Sequence, residues 1–99
     1  MMPSRSSDEQ FSAAPYQLGQ CYLVCTVTNY YTGRLVHVTP HELVLEDAAW
    51  VAHTGRFAHA LTTGDLQEVE PFPDGPVLIS RAALIAVCQW DFPLPRFTR

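Results

Sequence analysis

The chain has 99 residues, of which 47% are hydrophobic and only 16% are charged, and its formal net charge is −4. This length predicts one small domain, which buries only about 60–65% of its unfolded surface, so oligomerisation is a natural way to bury more. All six basic residues are arginines. The acidic balance argues against non-specific DNA binding, which needs a basic face to neutralise phosphates.

Three cysteines, Cys21, Cys25 and Cys88, lie in apolar, strand-like surroundings, and their number is odd. Free buried cysteines behave as small hydrophobic residues, so we expect a reduced, cytoplasmic protein. No apolar run approaches the length of a membrane span. The polar N-terminus lacks the apolar core of an export signal, so we expect neither a membrane protein nor an exported one.

The chain divides into three predicted parts. Residues 1–15 are polar and rich in serine, which predicts a flexible N-terminal segment. Residues 16–92 form the predicted β-barrel domain. Residues 93–99 form a C-terminal tail, whose two prolines exclude a regular helix.

Three strands are predicted in the first half of the domain from their β-branched and aromatic residues. Gly33 marks a bend or bulge after the first strand. Pro40 cannot donate a ladder hydrogen bond, so the four residues 39–42 should form a turn after the second strand. The three predicted strands are Gln20–Tyr31, Arg34–Thr39 and Leu43–Ala52.

A change of period after the third strand predicts a short helix within Thr54–Thr63. Phe57 and Leu61 are four residues apart, as on one helix face. Thr54 is a suitable N-cap, and Gly64 is a suitable stop.

The last third of the domain contains two more predicted strands, Val77–Ile79 and Leu84–Trp90, after a strong turn signal at residues 73–76. Leu66–Pro71 is a further candidate extended segment. Residues 80–86 leave two interpretations open, because their alanines favour a helix whereas their β-branched neighbours favour strand–turn–strand. We favour the second.

The spacing of several residues resembles the two motifs of the Sm-like RNA-binding barrels. The resemblance implies a mainly β fold: a small Sm-like (SH3-like) barrel of five bent antiparallel strands with a short helical insert. Residues similar to the first motif are Gly33, Leu35, Leu43, Leu45, Asp47 and Ala48, and residues similar to the second are Leu78, Ile79, Leu84 and Ile85.

Three less common segments carry a closer resemblance, namely Asp47–Phe57, Glu68–Phe72 and Trp90–Arg96. They resemble a family of small Sm-like proteins known from phage-related and metagenomic sequences. That family has no assigned activity, so the resemblance bears on the fold and not on the function.

The Sm resemblance also implies a ligand site, although the residues differ from the family pattern. The Asp and Asn that contact a base in RNA-binding Sm proteins correspond here to a shorter turn with His41 and Glu42, and the Arg-Gly pair of the second motif corresponds to Ser80-Arg81. The candidate ligand- or RNA-contacting residues are therefore Tyr31, His41, Glu42 and Arg81. Because a Glu42 carboxylate facing phosphate would repel it, RNA binding is disfavoured.

Other chemistry has weaker support in the sequence. The four histidines, His37, His41, His53 and His59, show no recognised zinc spacing, and we expect no metal or other cofactor. No nucleophile motif or phosphate-binding loop is present, so we expect no enzyme. The adjacent Glu46 and Asp47 should lie on opposite strand faces, so they are not a paired acid and base.

The aromatic residues have two interpretations. Trp50, Phe57 and Trp90 are most simply packing residues, with Trp50 covering the predicted helix. Alternatively, Tyr30, Tyr31 and Arg34 form a stacking surface for a base or a peptide.

Two functional hypotheses remain. The first is a non-enzymatic oligomeric scaffold or protein-interaction module, assembled as a homo-oligomeric ring in which the predicted fourth strand of one copy pairs with the fifth strand of the next. The second is a ring that binds RNA or a nucleotide through Arg81, His41 and aromatic residues.

Overall fold

A computed structural model of the protein describes residues 14–99, so that nearly all of the predicted flexible segment 1–15 lies outside the described residues. Within these residues the fold is mainly β, as predicted: six strands form one antiparallel sheet with one short α-helix. In chain order the elements are β1 (Cys21–Thr26), β2 (Tyr30–Val38), β3 (Glu42–His53), α1 (Phe57–Thr63), β4 (Glu68–Pro71), β5 (Val77–Ser80), a 3₁₀ turn (Arg81–Ala83) and β6 (Leu84–Gln89).

The strand order is β4-β3-β2-β1-β6, and β5 also pairs with β3. β3 pairs with β2 along one side. Its other side pairs with β5 at Glu42–Leu45 and with β4 at Ala49–His53. Within residues 14–99 no backbone pairing joins β5 to β6, so the sheet is not closed.

The prediction of five strands is wrong by one, because the extended segment before residue 71 pairs with β3 as β4. Val69 is only 2% exposed, whereas Glu68 and Glu70 on either side of it are exposed. This alternation is typical of a strand that covers a core on one face. The strand ends at Pro71, where proline removes a ladder donor.

The first predicted strand is also wrong in its extent, since residues 20–31 contain a hairpin rather than one strand. Thr26 accepts a hydrogen bond at its Oγ1 from the Asn29 amide at 3.1 Å, and the Thr26 amide donates to the Asn29 carbonyl at 2.8 Å. Threonine and asparagine side chains stabilise turns through such bonds. No glycine or proline marks this turn in the sequence.

A bulge bends β2 and β3 where the sequence predicts a bend. Thr32 pairs with Ala49 but Arg34 pairs with Glu46, so two residues of β3 lie opposite Gly33. Asp47 has a left-handed φ of 51°, a conformation that aspartate tolerates better than most residues. The bulge increases the local twist and lets the long strands curve around the core.

β1 lies between two buried clusters. The first cluster includes Tyr22 and Val24, and the second includes Leu23. A strand buried on both faces reads as a continuous apolar run, as β1 does. Further members of the first cluster are Leu35, Leu43, Leu45 and Ile79, and further members of the second are Ala49, Val51, Ala60, Val69 and Trp90.

The helix α1 confirms the predicted insert, although the predicted N-cap is wrong. Arg56 is the N-cap and makes no capping side-chain bond, whereas Thr54 Oγ1 donates to the Gly55 carbonyl at 2.8 Å. Gly64 confirms the predicted stop: it adopts a φ of 80°, and its amide donates to the Ala60 carbonyl at 2.8 Å. Residues 81–83 confirm the strand–turn–strand interpretation, with a 3₁₀ turn between β5 and β6.

The C-terminal segment, residues 93–99, lies against the sheet. The Arg99 amide donates to the Val69 carbonyl at 2.8 Å, and the Val69 amide donates to the Arg99 carbonyl at 3.2 Å. Pro95 is buried. The outer edge of β4 is therefore occupied by the chain's own backbone.

Candidate functional site

The structure brings three of the four candidate site residues together at the turn between β2 and β3. The Arg81 amide donates to the His41 carbonyl at 2.9 Å, and Arg81 Nη1 donates to the Thr39 carbonyl at 3.0 Å. Glu42 begins β3 at the same turn. These bonds tie the loop after β5 to the loop after β2.

Thr39 organises this turn, and the sequence analysis did not single it out as a site residue. Its Oγ1 accepts hydrogen bonds from the amides of His41 at 3.1 Å and Glu42 at 2.8 Å. The Thr39 hydroxyl also lies 3.0 Å from Glu42 Oε1, to which it donates. A threonine that precedes a proline, and whose hydroxyl accepts hydrogen bonds from the amides that follow, is a local turn signal that could have been recognised.

The charges at this turn are mixed. The Arg81 guanidinium carbon lies 5.8 Å from the centre of the Tyr16 ring, a cation–π distance. The Glu42 carboxylate lies on the adjoining turn and is partly buried. An anionic ligand approaching Arg81 there would therefore also meet a carboxylate.

Tyr31 is not part of that turn. It lies on β2, where its ring stacks on Phe72 with centroids 6.2 Å apart and planes 21° apart. It pairs across the sheet with Trp50 of β3. The four candidate residues therefore belong to two separate places in the fold.

Tyr31 instead lines a surface cavity of ≈ 320 Å³, which we call the aromatic groove. Trp50, which pairs with Glu70 of β4, is 37% exposed there. The prediction that Trp50 covers the helix is wrong, because its neighbours Ala49 and Val51 occupy the face that packs with α1. The groove is lined by Tyr31, Trp50, Glu70, Pro71, Phe72 and Pro73.

Trp90 and Phe57, the other two aromatic residues predicted to pack, differ in their exposure. Trp90 is 1% exposed, which confirms its packing role. Phe57 is 38% exposed, and its ring lies 6.0 Å from that of Tyr30. Tyr30 therefore packs beside α1 while Tyr31 packs against Phe72, and the predicted stacking surface that combined them is not formed.

Arg34, the third member of that predicted surface, forms an ion-pair cluster with two acids. Its Nη1 lies 2.7 Å from Asp47 Oδ2, and its Nη2 lies 3.4 Å from Glu46 Oε1. The hydrogen bond from Arg34 lowers the pKa of Asp47 below its ordinary value. The expectation that Glu46 and Asp47 diverge is wrong, because the bulge at Asp47 brings both carboxylates to Arg34. Arg96 Nη1 lies 3.8 Å from the second carboxylate oxygen of Asp47, Oδ1.

The cysteines and histidines form no metal site among residues 14–99. Burial, and secondarily the neighbouring Cys88, raises the pKa of the Cys25 thiol to about 11. Burial also raises the pKa of Cys21. Because the thiolate is the nucleophilic form, these thiols are poor nucleophiles near neutral pH. His53 Nδ1 accepts from the Gly55 amide at 2.9 Å, and His59 lies 3.7 Å from Asp65.

The edges of β5 and β6 that face away from their paired strands form a second surface, which we call the open side. Each of these two strands pairs along one side only within the described residues. Leu78 on β5 is 59% exposed and Ile85 on β6 is 68% exposed. A groove of ≈ 260 Å³ borders β5, and it is also lined by Thr26, Thr28, Tyr31, Phe72 and Ala83.

No family model, curated protein or solved structure matches the chain. In the part of the chain that the structure describes, no helix is long and apolar enough to cross a membrane.

Proposed function

We propose that this protein is a non-enzymatic, Sm-like interaction module that assembles into a homo-oligomeric ring and acts as a scaffold for other proteins. The observation that carries the proposal is the open side, where two strand edges have no backbone partner within residues 14–99. In this proposal the protein is cytoplasmic, holds no cofactor, and binds neither DNA nor membranes.

Unpaired strand edges favour association with another chain unless charges, prolines or bulges block them. Neither β5 (VLIS) nor β6 (LIAVCQ) contains a charged residue or a proline. The bulge in β6, which leaves Ile85 without an opposite residue on β1, lies at the start of the strand and leaves the edge from Ala86 onward regular. The exposed Leu78 and Ile85 add apolar surface beside those edges. An acidic chain of modest charge content therefore has one uncharged side that is suited to strand pairing.

The two edges belong to different strands, so an interface that pairs β5 of one copy with β6 of the next is heterologous. Such an interface repeats from copy to copy, and it produces a ring when the rotation closes. Closure also pairs every edge on the open side, which leaves no template for further growth. A ring is therefore the assembly that we favour over an open filament.

The bulge between β2 and β3 supports the Sm-like part of the proposal, because residues that resemble the first Sm motif meet there. A Cβ atom at Gly33 would lie 2.9 Å from Leu45 Cβ and 3.4 Å from Ala48 Cα. Three residues that resemble the motif therefore meet where β2 and β3 bend. The strand order, with β1 between β2 and β6 and with β5 on β3, also fits a barrel left open on one side.

Replacing Ile85 with lysine should dissociate the assembly, because a charge beside the edge of β6 must be desolvated when strands pair. Sedimentation velocity at micromolar concentration should give a multimer for the unaltered protein and a species near 11.1 kDa for Ile85→Lys. Leu18→Lys is the matched control, since Leu18 is 59% exposed but lies outside β5 and β6. Sedimentation of the unaltered protein as a clean 11.1 kDa species would contradict the proposal.

The alternative function is an Sm-like ring that binds RNA or a nucleotide. The arrangement of His41 and Arg81 around one turn favours it. The charge disfavours it, because −4 per chain adds up in a ring and Glu42 lies on the same turn as His41. Base stacking is worth about 1–3 kcal/mol per base, so one or two stacked bases fall short of the about 8 kcal/mol that micromolar affinity requires.

We therefore expect no submicromolar binding of uridine-rich or adenine-rich RNA near physiological salt. Fluorescence anisotropy with labelled oligonucleotides measures this directly, and Arg81→Ala provides the specificity control. Submicromolar affinity that Arg81→Ala weakens would favour the alternative function over the scaffold.

A further inference from the structure

The aromatic groove places three aromatic rings and one carboxylate on the same side of the sheet. Tyr31 pairs with Trp50, and Trp50 pairs with Glu70, in one row across β2, β3 and β4. Residues directly opposite each other on neighbouring antiparallel strands share a face. Phe72 joins the same side by stacking on Tyr31.

The charge of this surface is negative. Glu70 lines the groove, and no basic residue does so. Glu68 lies two residues before Glu70 on β4, hence on the same face, and both are exposed. On the Glu68 side, the chain's own Arg99 borders a smaller cavity that Trp50 and Glu70 also line. The groove itself therefore offers aromatic faces next to an acid without a lining cation.

We propose that the aromatic groove binds an arginine side chain from an extended segment of a partner protein. A guanidinium group is planar, so it can stack on the exposed Trp50 ring while it donates two hydrogen bonds to the Glu70 carboxylate. The aliphatic stem of arginine would pack on the apolar lining of the groove. The volume of ≈ 320 Å³ suits one long side chain.

The backbone at the groove favours side-chain recognition over strand addition. Pro71 and Pro73 lack amide donors, so this part of the chain cannot supply a regular ladder. The next available edge, at Val69, is already bonded to Arg99. A partner segment would therefore dock through its side chain, not as a further strand.

This inference specifies the partner chemistry of the proposed interaction module, but it rests on β2, β3 and β4 and not on β5 and β6. Tyr31 and Phe72 also line the groove beside β5, but Trp50 and Glu70, which contact the arginine in the proposal, do not. Failure of self-association and failure of arginine binding are therefore separate results. Peptide binding is measured on the unaltered protein and again on Ile85→Lys, so that the aromatic groove is tested with and without assembly.

The test is an NMR titration of ¹⁵N-labelled protein with the peptide acetyl-Ala-Arg-Ala-amide. We expect saturable shifts of the Trp50 indole resonance, which Trp50→Leu identifies by its loss, and little change at the buried Trp90 indole. The matched peptide with citrulline in place of arginine keeps the shape but removes the charge. It should bind at least about fivefold more weakly, since both the cation–π and the ionic contacts are lost.

Three variants complete the test. Trp50→Leu should abolish the backbone shifts around the groove, and Glu70→Gln should weaken binding by about three- to tenfold. Asp65→Asn, which removes an exposed acid outside the groove, should leave binding unchanged. The proposal would be overturned if the citrulline peptide bound equally well, or if the Trp50 indole showed no saturable shift. It would also be overturned if uridine monophosphate, or a change of protein concentration alone, produced the groove shifts instead.

Discussion

Replacing Trp90 with alanine is expected to lower the free energy of unfolding by about 3–5 kcal/mol, the largest effect that we predict for a single side chain. Trp90 is 1% exposed and belongs to the second buried cluster with Leu23. Its ring meets Phe92 edge-on at 5.2 Å, and its Nε1 donates to the Pro93 carbonyl at 3.5 Å. The substitution would therefore leave a cavity and release part of the C-terminal segment. Urea denaturation followed by circular dichroism measures the change.

Trp50 supplies the matched control, because it is the only other tryptophan in the sequence. It is 37% exposed, so Trp50→Ala should cost only about 1–2 kcal/mol through lost cross-strand contacts. Trp90→Phe should give an intermediate loss while keeping the fold intact. Equal losses for Trp50→Ala and Trp90→Ala would contradict the assignment of Trp90 to the core and Trp50 to the surface.

Replacing Gly33 with alanine is expected to destabilise the protein by about 1–3 kcal/mol. An added Cβ would lie 2.9 Å from Leu45 Cβ and 3.1 Å from Leu45 Cδ1. Leu45 is 0% exposed within the first cluster, so the strand or its neighbours must shift to make room. Gly33→Val should cost more, because its two methyl groups need further space. Thermal unfolding of the two variants measures the trend.

The sign of the Gly33 effect is informative. Where alanine fits without strain, replacing glycine stabilises a protein by about 0.4–1 kcal/mol through the unfolded chain. A stabilising Gly33→Ala would therefore contradict the close approach of β2 and β3 at the bulge. His37→Ala, at an exposed position of the same strand, is the control, and it should change stability by less than about 0.5 kcal/mol.

The sequence predicts those parts of the fold that have strong local signals. Pro40 marks the turn before β3, Gly33 marks the bulge and Gly64 marks the end of α1. Each acts through backbone geometry that few other residues allow. The hairpin at Thr26 was missed because its turn contains no glycine or proline. The segment Leu66–Pro71 was predicted to be extended but not counted as a strand, because its pairing depends on the distant β3.

The candidate site was predicted less well, because it depends on strand pairing. His41 and Glu42 are adjacent in the chain, and the Sm resemblance linked them to Arg81, which the structure places at the same turn. Tyr31 belongs elsewhere, since its neighbours are Trp50 of β3 and Phe72, which directly follows β4. Such cross-strand neighbours follow from register, which a one-residue bulge changes and which no local pattern specifies.

The Asp47 bulge illustrates the same limit. Strict alternation along β3 would separate its carboxylate from that of Glu46, yet both contact Arg34. The left-handed backbone at Asp47 breaks the alternation. Aspartate reaches this conformation more readily than most residues, but that preference is too small to be recognised in a sequence.

Native mass spectrometry of the unaltered protein tests the central claim most directly, because it reports the number of copies and any bound species together. We predict one closed assembly whose mass is a whole multiple of 11.1 kDa, with no added nucleotide mass, and its loss in Ile85→Lys. A single copy at micromolar concentration would contradict the proposed scaffold, and an assembly that carries RNA would favour the alternative function.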